Sequence, residues 1–461
     1  MYAAPSSFWT ALGTGYQLTV IADLWTMPGM LGANGVPIPV AFQARCYVED
    51  GSITVDGTAP QRRTAQLTLA PYADPGHVPV WSLVGPSPGQ LNSKTAELRI
   101  SWAAQPPTGP PFYALLGVLP VTDVEIDDTG EDIVVTVACA DRSTVISRHP
   151  FTHDYPQANG VLTTVAIQNM IQNAAPDFVQ RWDINLSVPG ATPAKTNTDW
   201  LTAPYTWPAG QDAWAACQQM ANTAGIQLYF SPSGRATMRP IPNFQQGQGT
   251  SVNPAGGPLW VYTDGIVPQP IGGGTILPML TKCKRVDTAE NQSGGAANGS
   301  NTSAVPNSVV VVAENTWLPY GGVFGSQLSD VAAFQVQAVD QDPSSPTYIG
   351  GPYGIVSNVI YDDLLVSKVE GEQEALLSLQ QGLSAGEPVD LSVLPNPLHE
   401  VWDVIKVVRP RIGANALFTI LSFTLPLNIK DDLTIVANKV VGPGGLFAYP
   451  LPTAPPGPGG Y

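Results

Sequence analysis

The chain has 461 residues, 12% of them charged and 44% hydrophobic, and its 20 Lys and Arg face 36 Asp and Glu for a formal net charge of −16. At about 100–200 residues per domain this is room for two to four domains with real cores, and the hydrophobic content excludes a chain disordered throughout. The cations, densest at Arg62-Arg63 and then at Lys282, Lys284 and Arg285, are too sparse for a nucleic-acid-binding protein of the usual kind, whose phosphate contacts need Lys and Arg clusters.

The 45 glycines and 46 prolines make up about a fifth of the chain and show no G-X-Y period, which predicts many turns and short strands. Up to about residue 140 the pattern is β. Strands are expected at Leu18 to Leu24, Ala44 to Val48 and Ser52 to Val55, with Asp50-Gly51 and Asp56-Gly57 as hairpin signals. Residues 64 to 69 alternate polar and apolar, which buries one face. Ala96 to Trp102 and Tyr113 to Val121 follow, separated by the Pro-rich segment 106–111. Val121 to Ile126 and Ile133 to Ala138 then flank an acidic turn, residues 127–132, in a long hairpin.

Beyond residue 150 the period changes. A helix is expected over 163–174, capped by Thr163 or Thr164 and stopped by Pro176, with Val165, Ile167, Met170 and Ile171 on its apolar face. The clearest helix spans 212–224, with Asp212 as N-cap, Trp214, Cys217 and Ala221 on one face, and Gly225 in the left-handed position after it. Ile226 to Phe230 and Arg235 to Arg239 form a hairpin about Ser231-Pro232-Ser233-Gly234. Residues 288–308 read as an exposed or mobile loop. Strands resume at Val309 to Ala313 and Phe334 to Val339, and a helix over 370–381 is ended by Gly382. The β pattern returns at Leu391 to Val393, Val404 to Val408, Leu417 to Phe423 and Leu433 to Ala437. The last twenty residues are a disordered tail or an extended arm ordered by a partner.

Each candidate for chemistry meets a physical objection. Gly85-Pro86-Ser87-Pro88-Gly89 spells the G-x-S-x-G nucleophile elbow, but Pro88 lacks the N–H that the oxyanion hole requires. His149 and His153 have the i, i+4 spacing of metal ligands on a helix, with Asp154 beside them, but Pro150 blocks that helix and leaves a surface loop. The doublets Asp127-Asp128, Glu131-Asp132, Asp362-Asp363 and Asp431-Asp432 fall at expected turns without EF-hand spacing. They read as solvated turns, with calcium at the 127–132 hairpin the exception to test. Trp200, Tyr205, Trp207 and Trp214 are crowded enough for a sugar platform, although core packing or a subunit contact accounts for them more simply. Cys46, Cys139, Cys217 and Cys283 form no C-x-x-C pair and read as buried free thiols. No residue is assigned a catalytic, cofactor-binding or metal-ligating role. The chain shows no basic signal-peptide n-region and no apolar run of ~18–20 residues, so a soluble protein not exported by the general pathway is expected.

Residues 42 to 69, with the run CYVEDGSITVDGTAPQRRTAQLTLA, resemble the N-terminal domain of minor tail proteins from phages of actinobacteria, as do the strands up to VVTVACADRSTVISRHPF. The helix and hairpin QDAWAACQQMANTAGIQLYFSPSGRATMRPIP looks like the corresponding element of baseplate-hub, or tail-tip hub, proteins. Residues 394 to 427, from LPNPLHEVWDVIKVV to LFTILSFTLPL, look like their C-terminal β domain. Where that family carries a loop and an acidic Asp before the last strands, this chain has His399-Glu400-Val401-Trp402-Asp403.

The resemblance implies a mainly β fold with α+β insertions: two tube-like β-barrel domains plus an inserted α+β domain. The corresponding division is 1–148 (N-terminal β), 149–285 (α+β helix–hairpin), 286–308 (loop), 309–384 (α+β), 385–441 (C-terminal β) and 442–461 (tail or arm). It also implies a homotrimeric virion ring that continues the tail tube and lets DNA through without specific binding. Its partners would be a distal tail ring, a tape-measure protein, and tail fibre or spike proteins. The expectation is no enzyme, no cofactor and no membrane segment. A carbohydrate- or receptor-binding minor tail protein is the alternative, and a wall-degrading hydrolase a third reading.

Overall fold

The structure, a computed structural model, describes residues 17–29, 38–105, 110–130, 132–158, 160–176, 178–179, 181–186, 205–241, 260–263, 275–277, 280–285, 304–313, 334–365, 368–428, 430–440 and 446–450. The fold is mainly β, in several sheets, with α+β insertions. Trp200, Glu131, residues 288–303 of the expected loop and most of the last twenty residues lie outside the described part.

The chain opens with β1 (Gln17–Thr26), β2 (Phe42–Asp56), β3 (Arg63–Asp74), β4 (Val78–Pro79), β5 (Ala96–Gln105), β6 (Phe112–Asp128) and β7 (Ile133–Ala140). Antiparallel pairings run from β1 to β2, β3, β7, β6, β5 and back to β1, so six strands close into a barrel, and β4 adds briefly to β3. Closure leaves the body of the barrel without an open edge, and only the outer end of the β6–β7 hairpin runs past it. The alternation over 64–69 puts Ala65, Leu67 and Leu69 in the core.

Asp50-Gly51 is not a hairpin turn. Strand β2 runs through it, with register shifts against β3 between Cys46 and Val48 and between Val48 and Asp50. Gly51 has φ +142°, and a Cβ there would lie 2.2 Å from the Gln66 carbonyl oxygen, so a bulged strand rather than a turn requires this glycine. Asp56-Gly57 does stand at the β2–β3 connection, where Asp56 N donates to Arg62 O at 2.8 Å.

Next come α1 (Ser143–Ser147), β8 (Tyr155–Gln157), α2 (Thr163–Ala174), β9 (Trp182–Ile184), β10 (Tyr205–Trp207), α3 (Ala213–Thr223), β11 (Ile226–Phe230) and β12 (Ala236–Pro240). Helix α3 has the expected ends: Asp212 Oδ1 accepts from Trp214 N at 2.7 Å and Ala215 N at 3.2 Å, and Gly225 is left-handed at φ +67°. Helix α2 covers the expected residues but is capped differently. Its N-cap is Leu162, with no side-chain hydrogen bond, because Thr163 is already helical and buried. Val165 is exposed, and Ala166, Ile167, Met170 and Ile171 form the packed face. These helices and the β11–β12–β9 sheet enclose a second core.

Strands β13 (Trp260–Thr263), β14 (Thr275–Leu277) and β15 (Leu280–Arg285) precede β16 (Ser308–Ala313), β17 (Phe334–Asp340), β18 (Ser357–Tyr361) and α4 (Lys368–Ser384). Helix α4 passes through Gly382, where a Cβ would lie 2.5 Å from Pro306 Cγ, so the glycine permits close packing instead of ending the helix. The last strands are β19 (Pro388–Val393), β20 (Val404–Arg409), β21 (Ala414–Pro426), β22 (Leu433–Lys439) and β23 (Leu446–Pro450). Within the expected tail or arm, β23 pairs antiparallel with β17 of the same chain, completing a β18–β16–β17–β23 sheet over a third core under α4.

The C-terminal strands form the order β14–β13–β20–β21–β22–β19–β15. Strands β13 to β15, grouped from sequence with the helix–hairpin region, thus pair with β19 and β20. Strand β2 joins both β units: residues 42–48 pair with β1, and Ser52 to Asp56 pair with Pro426 to Ser422 of β21. Thr54 Oγ1 and Thr424 Oγ1 meet across that seam at 3.1 Å. One continuous apolar core fills both units.

Candidate functional site

The residues singled out from sequence do not converge. Ser87 lies in a loop where its N donates to Gln90 Oε1 at 3.1 Å and its carbonyl accepts from Gln90 N at 3.0 Å, with neither strand nor helix framing it as an elbow. His149 and His153 are exposed on a non-helical segment. His153 Nδ1 meets Thr152 Oγ1 at 3.1 Å, and Asp154 accepts from Ala209 N at 3.0 Å. Asp128 Oδ1 accepts from Gly130 N at 2.9 Å, and Thr129 Oγ1 donates to the Asp132 carbonyl at 3.0 Å, as turn residues do. Asp431 belongs to a turn centred on Asn428.

Trp207 and Trp214 are fully buried in the second core, with Tyr205 tilted on Trp207 at 4.5 Å, which is the core packing that the sequence reading preferred, and neither indole is part of a sugar platform. One expectation needs correction. Asp362 is not a solvated turn residue: it accepts from Thr223 Oγ1 at 2.6 Å and from Leu364 N at 2.8 Å. Burial raises its pKa against those hydrogen bonds, and its neighbour Glu374 on α4 is pushed up to about 8 by burial and by the Asp362 charge. Of the thiols, Cys46, Cys139 and Cys217 are buried and Cys283 is partly exposed. Burial lifts the Cys46 pKa to about 12.

What the fold does bring together is a charged junction around Arg62 and Arg63. The strand entering β3 carries these two side chains to the point where barrel, helix–hairpin insert and C-terminal sheet meet. Pro60 O accepts from Trp214 Nε1 at 2.9 Å and from Gln218 Nε2 at 3.2 Å, which ties α3 to the β2–β3 loop. The Arg62 guanidinium lies 3.7 Å above the Tyr229 ring of β11, and its Nη2 donates to Val401 O at 3.3 Å. Arg63 Nη2 donates to both Glu400 carboxylate oxygens, at 2.8 and 3.0 Å. Burial lowers the Arg62 pKa, with Tyr229 and Glu400 opposing, and raises that of Tyr229.

Beside them, the fully buried Glu97 of β5 pairs with Arg142 Nη2 at 2.7 Å and Arg99 Nη2 at 3.4 Å. Arg142 Nη1 also donates to Gly234 O at 3.0 Å, at the tip of the β11–β12 hairpin. Asp141 accepts from Arg63 N at 3.1 Å and from Ser143 N at 3.0 Å. Burial raises the Asp141 pKa while those hydrogen bonds oppose the rise. The junction holds Ser143 Oγ as a further donor to Asp141, so hydroxyl and carboxylate satisfy each other in its buried part. Its charges pair with one another across three units, an arrangement that fixes their relative orientation.

The loop from His399 to Asp403, where the chain departs from the tail-hub pattern, closes the same region. His399 is buried, hydrogen-bonded to the Tyr262 hydroxyl of β13 and 3.4 Å from Asn396 Nδ2. Trp402 takes φ +71°, held by Trp402 N donating to Ile420 O at 2.7 Å. Burial raises the Tyr262 pKa, keeping the phenol neutral beside the imidazole. The sequence flagged Arg62-Arg63 as a dense basic pair, but not partners about 80 and 340 residues away in the chain.

With this geometry in place, two solved structures match along nearly the whole chain. One is the tail protein from Neisseria meningitidis MC58, at a TM-score of 0.52 and 11% identity, covering 92% of this chain and 96% of that one. Another is the 43 kDa tail protein of prophage MuSo2 from Shewanella oneidensis, at a TM-score of 0.50 and 11% identity, covering 92% and 99%. The chain therefore has the mainly β, multidomain fold seen in these tail proteins. No protein-family model matches it, and no curated protein does.

Proposed function

We propose that the chain is a structural, non-enzymatic virion protein: a tail-tip or baseplate hub that assembles as a homotrimer and continues the tail tube. The observation carrying this reading is the joining of two β units in one chain through β2 and β21 over one shared core. Three copies supply six β units around one axis, the number a six-fold tube presents to its tip. The helix–hairpin insert, locked to the barrel by the Arg62 to Arg142 junction, holds a fixed orientation from which fibre or spike proteins can be carried, while a distal tail ring and a tape-measure protein meet the tube faces.

With a net charge of −16, an acidic lumen would repel phosphate and let DNA slide through. The burial of Trp207 and Trp214 removes two of the four aromatics on which a glycan-binding reading rested. Imaging intact particles with this chain tagged tests the proposal: the tag belongs at the tail tip, and a capsid, tail-shaft or fibre-tip location would refute it.

A further inference from the structure

Charge is divided unevenly over the chain. Between Val121 and Ala138 the sequence carries Asp123, Glu125, Asp127, Asp128, Glu131 and Asp132 and no Lys or Arg. In the fold this stretch is the outer part of the β6–β7 hairpin. Strand β6 pairs with β5 only as far as Pro120, and β7 pairs with β3 only from Val135 onward. Toward the tip the two strands pair with each other alone among the described residues, and Glu125 to Asp128 are exposed without the alternation of a covered sheet. The result is an acidic hairpin end whose last rungs, Asp127–Val134 and Asp128–Ile133, form a two-stranded ribbon past the barrel, with Ile126 44% exposed at its base. Such a ribbon is marginally stable by itself and its like charges repel.

The C-terminal sheet offers the opposite. A groove of about 690 Å³ lies along β15, β19 and β22, lined by Lys282, Lys284, Arg409 and Asp390 beside the exposed Val436. Lys282 and Lys284 are exposed, and Lys284 makes only a 3.9 Å approach to Asp390, with both side chains more than half exposed. Val436 is 39% exposed. Cations beside an exposed valine match a ribbon whose carboxylates flank an exposed isoleucine.

We propose that the acidic β6–β7 ribbon of one copy docks in the Lys282–Lys284 groove of the next copy, a head-to-tail contact that closes the ring; this rests on the homotrimer reading above. Groove and ribbon are different patches of one chain, so the contact is heterologous, the kind that generates rings when its rotation closes. Charge complementarity sets the register and speeds association, and Ile126 against Val436 supplies the apolar part.

The test measures the mass of the purified full-length chain by sedimentation. A groove reversal (Lys282→Glu with Lys284→Glu), a ribbon reversal (Asp127→Lys with Asp128→Lys) and the two combined are compared with the wild type. Each reversal alone weakens association by about tenfold or more, and the combination restores it, since the pairs exchange sign. Carbodiimide cross-linking of the wild-type trimer joins Lys282 or Lys284 to Asp127 or Asp128 between chains. All four sites are exposed, and unchanged circular dichroism and thermal unfolding confirm intact folding. A trimer that survives both reversals overturns the docking while leaving the homotrimer standing. Loss of association in the ribbon variant alone, or association set by added calcium and indifferent to the groove, also overturns it. A wild-type chain that stays monomeric overturns both.

Discussion

Replacing Glu374 by Gln should flatten a pH dependence built into the seam between α3, Asp362 and α4. Glu374 Oε2 is buried with no hydrogen-bond partner among the described residues, and burial together with the Asp362 charge raises its pKa from 4.5 to about 8. In the unfolded chain it titrates near the ordinary carboxylate value of about 4.3. Below that pH both states hold the proton and no penalty exists. Between there and pH 8 the unfolded state releases the proton while the folded state keeps it, so stability falls as pH rises, and above pH 8 the loss is complete. The shift from 4.5 to about 8 corresponds to about 5 kcal/mol at most, of which about 3 kcal/mol falls between pH 5.5 and 8.5. Gln is uncharged and nearly isosteric, so Glu374→Gln should exceed the wild type by about 1.5 kcal/mol at pH 5.5 and by about 4.5 kcal/mol at pH 8.5, a gap that widens by about 3 kcal/mol. Glu374 lies at the α4 seam, so hydrogen exchange of the α4 amides, wild type against variant at each pH, reads the local stability it controls. Parallel profiles for the two proteins would refute the assignment.

Other consequences are direct. Arg142→Ala strips the buried Glu97 of its 2.7 Å partner and should cost about 3–5 kcal/mol in urea unfolding; a loss under about 1 kcal/mol would mean Arg99 suffices. Gly51→Ala drives a Cβ to within 2.2 Å of the Gln66 carbonyl oxygen at φ +142°, so the chain should lose several degrees of melting temperature or fail to accumulate as soluble protein. Trp207→Ala empties a buried site and should cost about 3–5 kcal/mol by urea unfolding, whereas specific loss of cell-wall glycan binding at unchanged stability would favour the sugar-platform reading.

Local signals in the sequence translated well wherever the chain satisfies its own backbone. The Asp212 cap, the Gly225 stop and the 226–240 hairpin are cases in which neighbours in sequence are neighbours in space. The misread glycines failed for a shared reason: Gly51 and Gly382 answer to Gln66 and Pro306, close approaches that no local pattern announces. Strands β13 and β15 escaped notice because they are four and six residues long, and their partners β19 and β20 lie more than 100 residues further along the chain. Of the junction, Arg62-Arg63 stood out as a basic pair and Glu400 as part of the 399–403 loop, but their pairing did not; Glu97 carries no local signal, and its role arises where three units converge. Asp362 looked like a solvated turn because burial is a property of the packed seam, not of an Asp-Asp pair.

The central claim is that each chain supplies two of the six β units of a tube ring, so that three copies complete it. A reconstruction of the tail tip by electron cryomicroscopy tests it most directly. The account predicts three copies around the tube axis, each placing its β1–β7 barrel and its β13–β22 sheet alternately around the lumen. Six copies in the ring, or a single copy off the axis, would contradict it.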